Sequence, residues 1–221
     1  MTKIAIDGPA GAGKSTISKK VASELGYVYI DTGAMYRTVG LKAVRCGIDT
    51  NDENRVCSLM DKIDIDIKHE GVEQRIYLDG EDVSGKIRTP EISMAASNVS
   101  RFPKVREELV NLQRRLAQKR DVVMDGRDIA SNVLPDAEIK IFLTASVEAR
   151  AKRRFNELTL KGENVTYEKV REEMEIRDKN DSERKASPLI VVEDAEVIDT
   201  SQLTLEESIK TVTDYVRSRL G

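Results

Sequence analysis

The chain contains one histidine, two cysteines, no tryptophan and only 4% aromatic residues, and no apolar run approaches 18 residues. Each scarcity excludes something. The lone His69 stands in a polar stretch, which speaks against multi-histidine metal sites and histidine-based triads and reads as a solvated surface residue. Cys46 and Cys57 lie in helix-like segments without metal spacing and read as reduced cytosolic thiols. The N-terminus opens straight into a strand pattern, so neither a signal peptide nor a membrane span is expected, and the cytoplasm is the expected compartment. A formal charge of −3 gives no basic excess for nucleic acid, and small-molecule partners are expected instead. With 221 residues, 34% of them charged, one α/β domain with an insertion is expected.

Against these absences stands Gly8-Pro9-Ala10-Gly11-Ala12-Gly13-Lys14-Ser15, which fits G-x-x-x-x-G-K-[S/T], a phosphate-binding P-loop. Glycines let backbone N–H groups approach phosphate oxygens, Lys14 reaches the outer two phosphates, and the Ser15 hydroxyl is placed for direct contact with Mg²⁺. The context agrees: Lys3–Asp7 reads as a strand and Thr16–Leu25 as a helix, so the loop ends at a helix N-terminus, which favours anions.

Further along, Tyr27–Asp31 reads as a buried strand, Gly33 opens a helix ending at Gly47, and Asp52–Lys62 is a short helix. Alternation then takes over at Ile63, Ile65 and Ile67 and again at Ile76 and Leu78, with Asp79-Gly80 as a hairpin signal; a small antiparallel sheet is inserted here. Helices restart at Thr89-Pro90 and Pro103. Asp121–Asp125 and Glu138–Thr144 are strands, and a helix from Ser146 carries Arg150, Arg153 and Arg154 until Gly162 interrupts it. A highly charged helix covers Tyr167 to about Lys179, Ala195–Asp199 is a last strand, and Thr204–Leu220 a last helix. Strands alternating with helices predict a parallel sheet covered on both faces, with ligands at the strand carboxyl ends. Aspartates at such ends often cap the next helix, the expectation for Asp199. Asp125, closing the apolar Val-Val-Met, has instead the form of a Walker-B acid that orders Mg²⁺ or its waters.

A P-loop implies a nucleoside triphosphate; the acceptor has to be read from the arginines. Arg37 follows the second strand, Arg106 sits on the Pro103 helix, Arg127 directly follows the Walker-B-like turn, and Arg177, Asp181 and Arg184 share one face if the charged helix runs that far. Guanidinium forks match phosphate oxygens and can neutralise a transferring phosphoryl group. Most charges in 168–185 still read as an ordinary solvated helix face. A GTPase-like switch would need N-K-x-D, which is absent, and the D-x-x-G at Asp82–Gly85 falls in the inserted sheet.

Asp31-Thr32-Gly33-Ala34-Met35-Tyr36-Arg37, Asp125-Gly126-Arg127-Asp128 and Arg177-Asp178-Lys179-Asn180-Asp181-Ser182-Glu183-Arg184, in that order after this P-loop, resemble the bacterial cytidylate kinase family over almost the whole chain. The resemblance implies a three-layer α/β P-loop kinase fold with a five-stranded parallel sheet, an inserted β subdomain at about 62–90 in the monophosphate-binding region, and a mobile helical lid at about 150–185, all in one domain over 1–221. The implied reaction is phosphoryl transfer from ATP, with Mg²⁺, to CMP or dCMP by a monomer. ATP would sit on Gly8, Pro9, Ala10, Gly11, Ala12, Gly13, Lys14, Ser15 and Thr16. Ser97, Arg106 and Asp128 would face the cytosine, and Thr32 would help hold the nucleoside. Asp181 would meet the sugar hydroxyls with Arg177 nearby, and Arg37, Arg127 and Arg184 would hold the CMP phosphate. Lys14, Arg127, Arg177 and Arg184 would be catalytic. Thr32 stands where many members have serine, and Ser15 where some have glycine, so direct hydroxyl coordination of Mg²⁺ is not general to the family. Other P-loop kinases, for UMP/CMP, shikimate or dephospho-coenzyme A, are the nearest alternatives.

Overall fold

The computed structural model of the chain describes residues 1–70 and 73–221. A five-stranded parallel sheet forms its centre, built from β1 (Lys3–Asp7), β2 (Val28–Asp31), β6 (Val122–Gly126), β7 (Ile139–Thr144) and β8 (Glu196–Asp199) in the order β2-β6-β1-β7-β8. The central strands β1, β2 and β6 are short, largely apolar and almost wholly buried, as a covered parallel sheet requires, β7 is buried at alternate residues, and the edge strand β8 buries only Ile198. Alternate side chains serve opposite layers. Ile4, Ile6, Val123 and Ile141 pack with Ile17 and Val21 of α1 (Lys14–Leu25) and with Val212 and Val216 of α8 (Leu205–Leu220). Ala5, Ile30, Val122 and Met124 pack on the other side. That second core is shared with α2 (Thr32–Arg45), α4 (Pro90–Val99) and α5 (Pro103–Ala117). Ile6 is wholly buried; removing such a side chain from water stabilises by about 1.5–3 kcal/mol.

Between α3 (Glu53–Met60) and α4 lies the inserted antiparallel sheet, β3 (Ile65–Glu70), β4 (Glu73–Leu78) and the two-residue β5 (Glu81–Asp82). The Asp79-Gly80 turn joins β4 to β5, with both residues at positive φ, 51° and 84°, as a tight hairpin turn demands. Ile76 and Leu78 turn inward to the core, while β3 keeps only a half-buried face. After β7, α6 (Val147–Leu160) and α7 (Tyr167–Glu183) pack on each other.

Local chemistry sets the boundaries. The Asp31 carboxylate caps α2 by accepting from Ala34 N, so that helix begins at Thr32, a residue before Gly33. Thr89 caps α4 with Pro90 in its first turn, and Thr166 caps α7. Gly13 takes φ 89° as the N-cap of α1, which starts two residues ahead of Thr16. α7 runs past Lys179 to Glu183, with Val170, Met174 and Asp181 turned inward and Glu168, Lys169, Arg171, Glu172, Glu175 and Lys179 exposed on its outer side. Asp199 does not cap α8: its carboxylate accepts from Ser201 N and Oγ, and Thr204 with Glu207 forms the capping box. His69 is not a free surface residue either. It is half-buried, and its Nε2 lies 3.0 Å from the Tyr29 carbonyl oxygen.

Candidate active site

The carboxyl ends of β1, β2 and β6 open into a cleft of about 720 Å³. At its floor the chain leaves β1 through Gly8, where φ is 147° and a Cβ would lie 1.9 Å from the Leu143 carbonyl oxygen, so only glycine fits. Residues 10–16 line the cleft, whereas Gly8 and Pro9, both buried, are not part of its lining. Lys14 is buried, its Nζ donating to the Pro9 carbonyl at 2.7 Å. Burial, reinforced by the Arg127 charge, holds its pKa well below the usual lysine value, so an incoming anion would favour its charged form.

Ser15 Oγ donates to Asp125 Oδ2 at 2.8 Å, and Tyr29 Oη donates to Oδ1 at 3.0 Å. Burial, with Asp31 opposite in the strand register, pushes the Asp125 pKa up to about 6, while burial and the Asp125 charge push Tyr29 well above the ordinary tyrosine value. A hydroxyl and a charge-starved carboxylate side by side at the P-loop are hard oxygen donors in the arrangement that suits Mg²⁺ shared with substrate phosphates. The residues present fit that ion. Among the described residues there is no cluster of three or more His, Cys, Asp or Glu that would form an all-protein metal cage.

Across the cleft are the residues expected to hold an acceptor: Thr32, Arg37, Ser97, Arg106, Arg127, Asp128, Arg177, Asp181 and Arg184 all line it. Their pairing is more specific than the sequence suggested. Asp128 forms a buried ion pair with Arg106 through Oδ2, accepts from Asn132 Nδ2 at 3.0 Å, and has Oδ1 3.5 Å from Arg184. Asp181 accepts from Arg127 Nε at 2.8 Å and lies 3.9 Å from Arg184. Burial would raise the Asp181 pKa, but Arg127, Arg177 and Arg184 outweigh it and hold the group below the usual carboxylate range. Arg184 is the first residue beyond the helical part of α7, yet still converges with Asp181. Thr32 Oγ1 is already engaged, donating to the Asp125 carbonyl at 2.8 Å. Arg37 stands 3.9 Å from Asp31.

Other groups are unspent. Among the described residues, Ser97 Oγ, Arg106 Nε and Arg177 Nε are buried without a hydrogen-bond partner. Burial and neighbouring Arg127 bring the Arg177 pKa down to about 9, the mark of a guanidinium whose counter-charge is insufficient. In total, ten Lys/Arg and six Asp/Glu side chains line the cleft among the described residues, so it is locally cationic although the chain carries −3. Such a surface attracts a polyanion and repays buried donors with phosphate or base acceptors.

Of the α6 arginines, Arg150 is buried, donating to the carbonyls of Ala10 and Ala145 and gripping Asp178 of α7 with both terminal nitrogens. Arg153 donates to the carbonyls of Thr200 and Leu203, and Arg154 pairs with Glu157. Reading the sequence missed the site roles of Asp7, Tyr29, Asp31 and Arg88. Asp7 accepts from Ile129 N at 2.9 Å and Ala130 N at 2.8 Å, tying β1 to the π-helical turn Ile129–Val133 that follows Asp128. Its burial raises its pKa to about 6 despite those two bonds. The strand-end aspartates were the only signal available, and position alone does not separate a cap from a site residue.

The sequence profile described as cytidylate kinase matches residues 4–218. The chain belongs to the cytidylate kinase family. It is 55% identical over 209 residues to a cytidylate kinase of Caldicellulosiruptor bescii, covering 95% of this chain and 92% of the relative. It is likewise 55% identical over 215 residues to one of Caldanaerobacter subterraneus subsp. tengcongensis, covering 97% and 94%. Among solved structures, an uncharacterized protein from Eubacterium ventriosum shares the fold at a TM-score of 0.55 with 14% identity, covering 99% of each chain.

Proposed function

We propose that this protein transfers the γ-phosphoryl group of ATP to CMP or dCMP, giving ADP and CDP or dCDP. The observation that carries the reading is the convergence, in one cationic cleft of a cytidylate kinase family member, of the P-loop and every residue expected to grip the acceptor. In this reading the Ala10–Thr16 backbone cradles the ATP phosphates and Lys14 leaves the Pro9 carbonyl for the outer two. Mg²⁺, held by Ser15 and by Asp125 directly or through water, would neutralise phosphate charge when bound with the nucleotide. Arg37, Arg127 and Arg184 hold the acceptor phosphate, and Arg177 supplies its uncompensated charge to the group in transfer.

The base is read by Ser97, whose hydroxyl is unspent, by Arg106, and by Asp128, whose Oδ1 makes the looser of its arginine contacts and is free to accept from an amino group. Asp181 turns to the sugar hydroxyls. No general base is needed, because a phosphate monoester with a second pKa near ~6 is largely a dianion at neutral pH. α6 and α7 act as a lid that excludes water once both nucleotides are bound. In this reading the enzyme is a monomer acting in the cytoplasm; a single chain carries every group named. Turnover on CMP, dCMP, UMP, AMP and shikimate tests the reading; it requires CMP and dCMP to be the best substrates and fails if UMP, AMP or shikimate is preferred.

A further inference from the structure

β2 is an edge strand: it pairs with β6 on one side only. The backbone groups on its other side are nevertheless met, by side chains of the inserted sheet. His69 Nε2 lies 3.0 Å from Tyr29 O, so the ring donates there; Gln74 Oε1 accepts from Asp31 N at 2.9 Å and Gln74 Nε2 donates to Asp31 O at 3.3 Å. His69 and Gln74 are direct partners in the β3–β4 register, so one cross-strand pair grips two alternate residues of the β2 edge. The clamped residue is Asp31, whose carboxylate caps α2, faces Arg37 at 3.9 Å and accepts from Arg88 at 3.3 Å. Both arginines line the cleft.

We infer that Gln74 is a positioning residue for the acceptor site. Its amide continues the ladder of β2 by one residue and thereby fixes the Asp31 backbone, which sets the start of α2 and the reach of Arg37 toward an acceptor phosphate. The inserted sheet is in this way coupled to phosphate binding, and Arg88, in the segment that follows its strands, lines the same cleft. The inference rests on placing Arg37 at the acceptor phosphate. Leucine at position 74 would preserve bulk and remove both bonds; asparagine would keep the amide but, one methylene shorter, cannot span N–H and C=O together.

The test compares Gln74→Leu, Gln74→Asn and Arg37→Ala with the parent enzyme, using steady-state kinetics in CMP and in ATP and hydrogen exchange at the Asp31 amide. Both Gln74 variants are expected to raise KM for CMP roughly tenfold, the scale of one or two ordinary hydrogen bonds. They should leave kcat and KM for ATP within about twofold and expose the Asp31 amide to exchange. Arg37→Ala should raise KM for CMP with the Asp31 amide still protected. Unchanged KM for CMP in both Gln74 variants, alongside an effect of Arg37→Ala, overturns the positioning role. Equal losses in both substrates would reduce Gln74 to a stabilising contact and overturn it too. If Arg37→Ala itself leaves KM for CMP unchanged, the acceptor reading fails, and the role of Gln74 with it.

Discussion

Asp128→Asn separates base recognition from scaffolding. The residue is 4% exposed, as is its partner Arg106, and Arg184 is 8% exposed, so the carboxylate compensates two guanidinium groups with little help from water. An amide keeps an acceptor for Arg106 but removes the charge. Breaking a buried pair outright costs about 3–5 kcal/mol, and the retained bond places this change near the lower end, about 3 kcal/mol. For a chain of this size the melting temperature should fall by roughly 6–12 °C.

Catalysis should suffer separately. Oδ1, the oxygen less tightly held by arginine, is the acceptor proposed for the cytosine amino group, and a charge-assisted hydrogen bond is worth about 1.5–3 kcal/mol, or roughly 10–150-fold in kcat/KM. Asparagine can turn its amide to donate to the O4 of uracil, so UMP should lose less and the CMP/UMP ratio should narrow by about tenfold or more. Coupled kinetics on both substrates, beside thermal melts of the same preparations, read the two effects independently. If CMP and UMP fall by one common factor, Asp128 serves only to hold Arg106 and Arg184, and the proposed base contact is wrong. An unshifted melting temperature would refute the electrostatic reasoning.

Lys14→Ala should abolish transfer, by about 10³-fold or more, in a protein that still melts cooperatively; near-normal turnover would remove the P-loop from the mechanism. Asp181→Ala should harm CMP more than dCMP, since one of the two hydroxyls it is proposed to serve is missing in the latter, and should also raise KM for both by releasing Arg127; an unchanged CMP/dCMP ratio counts against the sugar contact. Asp125→Asn should stabilise the fold while suppressing Mg²⁺-dependent turnover. The folded Asp125 pKa is raised from 3.8 to about 6, so the protonated form favours the fold at low pH and that stability is lost as pH rises through about 6. A carboxyl raised from 3.8 to about 6 weakens the ionised fold by about 3 kcal/mol, so at pH 8 the variant should melt several degrees higher, and the difference should vanish below about pH 4. A variant that melts lower than the parent at pH 8 would contradict the burial argument.

What could be read from the sequence follows from the range of the interactions involved. The P-loop, the apolar strands and the helix spacing are local patterns, so the five-stranded sheet, the inserted antiparallel strands and the convergence of Arg177, Asp181 and Arg184 were all legible. Cap chemistry shifted the boundaries: glycine in a left-handed conformation at position 13 lets α1 begin at Lys14, and the Thr204–Glu207 capping box relieved Asp199 of the role expected of it. Illegible were contacts between segments far apart in the chain. Asp7 reaches amides 122 and 123 residues away, and Gln74 and His69 close an edge some 40 residues upstream. Nothing about His69 or Gln74 in the sequence distinguishes a solvated strand face from one whose polar side chains complete a neighbouring ladder, because the same residues suit both environments. The arginine–carboxylate pairing is illegible for a related reason. A cleft that must bind dianions while empty of them keeps its guanidinium groups ordered by internal carboxylates, Asp31, Asp128 and Asp181, and residues that are functional by motif are therefore structural by contact. Mutating any one of them perturbs both properties, which is why substrate ratios, with stability measured alongside, discriminate where loss of activity alone does not.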